Sequence, residues 1–224
     1  MIKLYMNLTP GARESVSRVV PGAGRTETDY LKRISSNLAL MAKIGTSFTR
    51  TISENADVEG EKHIIDLKNN SASGIVGLFH YGPWELLPEI FSQKGYRIGA
   101  ITGSQRMKLF DRYLASMRRR AGLYEIRDLA SASRHLRQGT FVAIFFDKTR
   151  RAKGMKFGFP YPGYEVSVLP QLFSKRTGKS FLPVACGFKN KRIWVKIGSP
   201  GADPGYFFEP FFRNNLSEWL VWGE

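Results

Sequence analysis

Apolar positions recur along this chain with two different periods. Tyr30, Ile34, Leu38, Met41 and Ile44 stand three or four apart, the spacing of one helix face, behind a capping-box-like Thr26-Glu27-Thr28-Asp29 and ahead of Gly45. An amphipathic first helix is expected, its stripe packed on its own domain rather than on a membrane. Residues 74–79 are a short continuous apolar run, the mark of a buried strand, and His80-Tyr81-Gly82-Pro83-Trp84-Glu85 follows at once, then an apolar helical stretch to Phe91. Pro83 suits a first helical turn, where its missing N–H costs nothing. A second strand is expected at 96–101. The spacing then predicts a helix over 105–121, with Leu109, Phe110, Tyr113, Leu114 and Met117 on one side and Gly122 as its stop. Asp128 can cap a short helix ending before Gly139, and 140–146 is the clearest strand of all, ending at Asp147. Past a basic loop at 148–156 the pattern predicts a helix over 166–177 and strands at 180–188 and 192–197. Strands thus alternate with helices. The expected fold class is α/β: a single domain over 1–224, with 1–25 left undefined, built as a sandwich whose mostly parallel central sheet is flanked by helices. Its functional residues should lie at the carboxyl ends of the strands.

Composition narrows the classes. With 42% hydrophobic and 13% aromatic residues the chain can bury a real core. A formal charge of +15 attracts anionic partners, whether nucleic acid, anionic lipid or an acidic carrier protein. The single cysteine, Cys186, excludes an intrachain disulfide and lies in an apolar run, as a buried small hydrophobe does. No apolar run approaches the ~20 residues of a spanning helix, and the first residues lack the long apolar core of a secretion signal.

His80 and Glu85 are the candidate chemistry. A Gly-Pro turn at a strand-to-helix junction can return Glu85 toward the imidazole of His80, holding one ring nitrogen and making the other a base for a hydroxyl proton. The same two residues are equally well explained as a histidine at a helix end and a glutamate at the positive end of a helix dipole. A metal site is not expected, because His63 and His135 fall in no ligand pattern.

The block His80-Tyr81-Gly82-Pro83-Trp84-Glu85 resembles the H-x4-E block of the lipid A biosynthesis (lauroyl/myristoyl) acyltransferase family, within the lysophospholipid acyltransferase-like superfamily. Other stretches resemble that family in the same order: Val19-Val20-Pro21 and Val58-Glu59-Gly60 ahead of the block, Met117-Arg118-Arg119-Arg120-Ala121-Gly122 like its R-x-x-x-G helix end, Phe145-Phe146-Asp147-Lys148 where it has Asp-Gln, residues 157–163 where it has a Pro-Phe-Phe-Gly loop, and Leu216-Ser217-Glu218-Trp219-Leu220 like its P-x-x-W-L segment. Departures are Gly103 where an arginine is common, with Arg106 the nearest, and Lys148 in place of Gln.

The resemblance implies direct acyl transfer from an acyl thioester to a hydroxyl of a membrane glycolipid of lipid A precursor type, at the cytoplasmic face of the bacterial inner membrane. His80 would be the base and Glu85 its orienting partner. Arg106, Arg118, Asp147 and Lys148 are candidates for oxyanion or substrate binding, Asp147 alternatively serving to fix an arginine. Arg150, Arg151 and Lys153 are candidates for binding the acceptor or an acyl carrier protein. No cofactor is implied beyond acyl carrier protein or coenzyme A as carrier of the acyl group. Arg118, Arg119 and Arg120 with the 148–156 loop are the expected membrane-docking charge, and Phe157, Phe159 and Tyr161 a shallow apolar anchor. Two rival classes are a basic nucleic-acid-binding module, for which no motif is present, and an esterase or thioesterase, which lacks a G-x-S-x-G elbow.

Overall fold

The computed structural model describes residues 27–70, 72–103, 108–147, 154–159, 163–189 and 192–219. Arg106, Lys148, Arg150, Arg151, Lys153, Tyr161 and the Thr26 of the capping box lie outside them.

Among the described residues two helices come first, α1 (Glu27–Met41) and α2 (Ser47–Glu54), then strand β1 (Asp57–Glu59) and helix α3 (Lys62–Asn69). Strand β2 (Gly74–Leu78) leads through a 3-10 turn at Trp84–Leu86 into α4 (Leu87–Gln93). Next are β3 (Ile98–Ile101), α5 (Lys108–Arg120), β4 (Leu123–Ile126), α6 (Leu129–Arg137) and β5 (Phe141–Phe145). A two-stranded hairpin of β6 (Gly154–Phe157) and β7 (Tyr164–Ser167) precedes α7 (Leu169–Thr177), β8 (Ser180–Lys189), β9 (Arg192–Ile197), α8 (Pro204–Asn215) and a last 3-10 turn at Leu216–Glu218.

Among the described residues seven strands form one sheet in the order β1-β9-β8-β2-β5-β3-β4. The five from β8 to β4 are parallel to one another, and β9 runs antiparallel to β8 with β1 alongside it. The expected mostly parallel sheet flanked by helices is present. From β2 the chain crosses over β5 to pair β3 with β5, while from β5 it returns past β2 to reach β8. The connections leaving β2 and β5 therefore diverge, which opens a crevice between their carboxyl ends, where open α/β sheets bind ligands.

The alternation of a pleated strand sorts the residues there. Phe79 and Phe146 face one layer, where Phe79 packs edge-on against Phe208 and Phe212 of α8 at 4.7 and 5.0 Å between ring centroids. Leu78 and Phe145 face the opposite layer, against α4 and α5.

Several elements differ from the reading of the sequence. The 166–177 helix is shorter, because 164–167 pairs as β7 with β6, and the chain from 154 to 157 is strand rather than loop. The segment 204–215, to which the pattern reading gave no element, is a helix in spite of Pro210, started by Asp203, whose carboxylate accepts the N–H of Tyr206 at 3.0 Å. Asp128 caps α6 as expected, Oδ1 taking the Ser131 N–H at 2.7 Å. On α5 only part of the predicted stripe is inside: Leu114 and Met117 are buried, whereas Leu109 is 79% and Tyr113 42% exposed.

Candidate active site

Register builds the site. Pairing of β2 with β5 sets Leu78 opposite Phe145, and the N–H of Phe146 donates to the Leu78 carbonyl at 2.8 Å. Continued by two residues past each strand, this register brings His80 to Asp147, 67 positions away in sequence. His80 Nδ1 lies 2.7 Å from Asp147 Oδ1, and the His80 backbone N–H donates to Oδ2 at 2.9 Å. The indole N–H of Trp219 donates to the same Oδ2 at 3.0 Å. Burial opposes the charge on Asp147, but the adjacent His80 and these donors outweigh it and hold its carboxyl below the usual range. An ionised carboxylate facing Nδ1 requires the proton on that nitrogen, which makes Nε2 the basic position of the neutral ring. The imidazole itself is fixed by stacking on Phe145 at 4.0 Å and by the edge of Trp84 at 5.0 Å.

The turn after His80 is locked on both sides. Gly82 has φ +63°, and a Cβ there would lie 2.1 Å from the Cys186 carbonyl of β8, so only glycine fits. Its N–H donates to the Glu218 carbonyl at 2.8 Å, and Tyr81 pairs with Trp219 as a β-bridge. Cys186 is buried and its thiol is pushed far up by that burial, as an inert core residue should be.

Glu85 is not where its spacing from His80 suggests. The 3-10 turn carries it onto the sheet face, where Arg118 holds both carboxylate oxygens, Nη2 to Oε1 at 2.5 Å and Nε to Oε2 at 3.1 Å. This corrects the expected His80–Glu85 pair: Asp147 takes Nδ1 of His80, and the two-pronged fit of a guanidinium to a carboxylate claims Glu85. It also corrects the alternative for Asp147, which fixes the histidine and not an arginine. Burial lowers the Arg118 pKa, but Glu85, then Glu125 and Asp111, more than reverse this and raise it. Glu125 stands 3.8 Å from Arg118 Nη1 and links it to Arg127.

Beside the Glu85–Arg118 pair lies a cleft of about 370 Å³, open solvent at its mouth included, walled by Leu78, Ala100, Ala143, Leu123 and Phe145, the ring on which His80 stacks. Phe157 and Phe159, expected as a surface anchor, are buried in the aromatic cluster around Phe79. No hydrogen-bond spacing in the sequence announces Asp147 as the partner of His80. The available signal was its place at the end of the clearest strand.

Residues 30–203 match the model of a family described as bacterial lipid A biosynthesis acyltransferase. The chain belongs to this family. As a member it is an enzyme that transfers acyl groups in lipid synthesis. No curated protein matches the chain. Among solved structures, a 1-acyl-sn-glycerophosphate acyltransferase from Thermotoga maritima is similar over 97% of both chains, at 16% identity and a TM-score of 0.40. Among the described residues no helix is long and apolar enough to cross a membrane.

Proposed function

We propose that this acyltransferase moves a fatty acyl group from an acyl thioester, carried by acyl carrier protein or coenzyme A, to a hydroxyl of an anionic membrane glycolipid of lipid A precursor type, working peripherally at the cytoplasmic face of the inner membrane. The observation that carries the reading is the buried His80–Asp147 pair at the diverging carboxyl ends of β2 and β5 in a chain of this family. Nε2 of His80 takes the proton of the acceptor hydroxyl as its oxygen attacks the thioester carbonyl. Asp147 stabilises the imidazolium so formed. When the tetrahedral intermediate collapses, the C–S bond breaks and the proton passes from Nε2 to the departing sulfur, leaving an ester and a free thiol. The apolar cleft beside Phe145 suits the first carbons of the acyl chain. Glu85 and Arg118 close one side of it as a neutralised pair, so that the wall carries no unpaired charge against hydrocarbon.

Mass spectrometry of membrane lipids from cells with and without the gene tests this. A lipid heavier by one acyl chain only when the protein is present supports the reading and names the acceptor. Release of free fatty acid with no acylated lipid makes the enzyme a thioesterase instead. Unchanged lipids with salt-dependent RNA binding turn the charge to nucleic acid.

A further inference from the structure

One of the donors to Asp147 comes from the far end of the chain. Trp219 reaches Oδ2 at 3.0 Å, next to the His80 N–H at 2.9 Å, while Oδ1 faces Nδ1 of His80 at 2.7 Å. The Asp147 side chain is 2% exposed, so these contacts form out of water, where a hydrogen bond to a charge is strong and its loss costly. Trp219 is itself held in place. It pairs with Tyr81, and its ring meets Tyr164 at 5.3 Å and Phe212 at 5.6 Å. The preceding Glu218 is tied to Arg33 of α1 at 3.2 Å and accepts from Asn215 at 3.3 Å.

A buried tryptophan needs one acceptor for its N–H, and any carbonyl would satisfy it. This one is aimed at the carboxylate that holds the histidine. We propose that Trp219 is a positioning residue: its indole N–H fixes the carboxylate plane of Asp147 so that Oδ1 stays on Nδ1 of His80, and residues 216–219 form a strap that carries this donor to the site. The inference rests on His80 and Asp147 being the catalytic pair. With the donor gone, the carboxylate keeps the His80 backbone N–H but has freedom to turn about its own axis, and fewer encounters find Nε2 correctly directed. A role in packing alone would lower stability and leave turnover per folded molecule unchanged.

The test compares wild type with Trp219→Phe, which retains an aromatic ring without the N–H, and with Phe212→Leu, which loosens the same packing without touching a hydrogen bond. Lauroyl-coenzyme A and a lipid A precursor serve as probes. The expected result is a fall in kcat of about tenfold for Trp219→Phe with KM unchanged, and a lower Tm but unchanged kcat for Phe212→Leu. The Trp219→Phe loss should vanish in an Asp147→Asn background, because the two act as one unit. Proton NMR of the His80 Nδ1–H gives a readout without turnover: its resonance should move in Trp219→Phe and stay in Phe212→Leu. If Trp219→Phe does not fold, Arg33→Met, which frees the strap and spares the indole, should show a smaller loss of kcat and the same direction of NMR shift. An unchanged kcat with an unmoved resonance overturns the proposal, as does an equal loss in the Asp147→Asn background. If wild type transfers nothing to any acceptor, the acyl-transfer reading fails, and the resonance alone decides whether Trp219 positions Asp147.

Discussion

At the scale of single residues, two carboxylates carry different tasks because their surroundings differ. Asp147 is buried against the histidine, and His80→Ala and Asp147→Asn are each expected to remove most acyl transfer, with losses that do not add, measured as kcat/KM in the single and double variants. Asp147 also carries a pH signature. Its folded pKa lies below its unfolded value, so its contribution to stability is present above about pH 3.9 and disappears as pH falls through the lower folded value. Urea unfolding of wild type and Asp147→Asn should therefore differ by a constant amount near neutrality, with the difference shrinking only below about pH 4. Glu85 is a partner in an ion pair. Glu85→Gln leaves a largely buried Arg118 half-satisfied and should cost about 3 kcal/mol of stability, while Glu85→Met with Arg118→Met recovers much of it, as Tm and urea midpoints would record.

At the scale of elements, the turn between β2 and α4 decides where both groups go. Gly82→Ala combines a positive φ with a clash against the Cys186 carbonyl, and should cost at least ~2 kcal/mol by denaturant unfolding while disordering the His80 loop. One helix over, Glu89 is buried where α4 meets α2, with Arg50 only distantly paired at 4.0 Å. Burial raises its pKa, against the opposing pull of Thr49, Gly45 and Arg50. A raised folded pKa means the stability it contributes is complete below its unfolded value, about 4.3, and is lost as pH rises through the folded value. Glu89→Gln should therefore raise Tm at pH 7 and bring no gain at pH 4.

At the scale of the whole molecule, the charge of +15 needs a surface to act on. Of the residues expected to dock, Arg118 is held by Glu85 and Phe157 and Phe159 are inside, while Arg119 and Arg120 are exposed on α5. The described surface around them carries more of the same character. Leu109, Arg112, Tyr113 and Arg119 are exposed on α5, and Tyr113 donates to the Ala42 carbonyl, beside Lys43 stacked over the exposed ring of Phe48 at 4.7 Å. Basic groups at an anionic bilayer are worth about 1 kcal/mol each and are screened over a Debye length of ~10 Å at 0.1 M salt. Sedimentation with anionic vesicles should show binding that salt weakens, that Arg112→Glu with Arg119→Glu reduces, and that Leu109→Ser reduces further at high salt. Equal binding to neutral vesicles would assign the charge to another partner.

Local pattern is enough to place the layers of this fold and the addresses of its chemistry. Period-two and period-3.6 patterns are local, so β2, α5, β5 and β8 were legible, as was the position of His80 and Asp147 at strand ends. The family block added the class of reaction. What the sequence left open was which side chain each one meets. His80 stands five residues from Glu85 and 67 from Asp147, yet it is the register of β2 on β5 that sets the bond. Strand register is fixed by the whole sheet and its layers, not by neighbours in the chain. For the same reason the packing of α8 on Phe79 and the approach of Trp219 to Asp147 became visible only once the sheet had brought the ends of distant segments to one crevice.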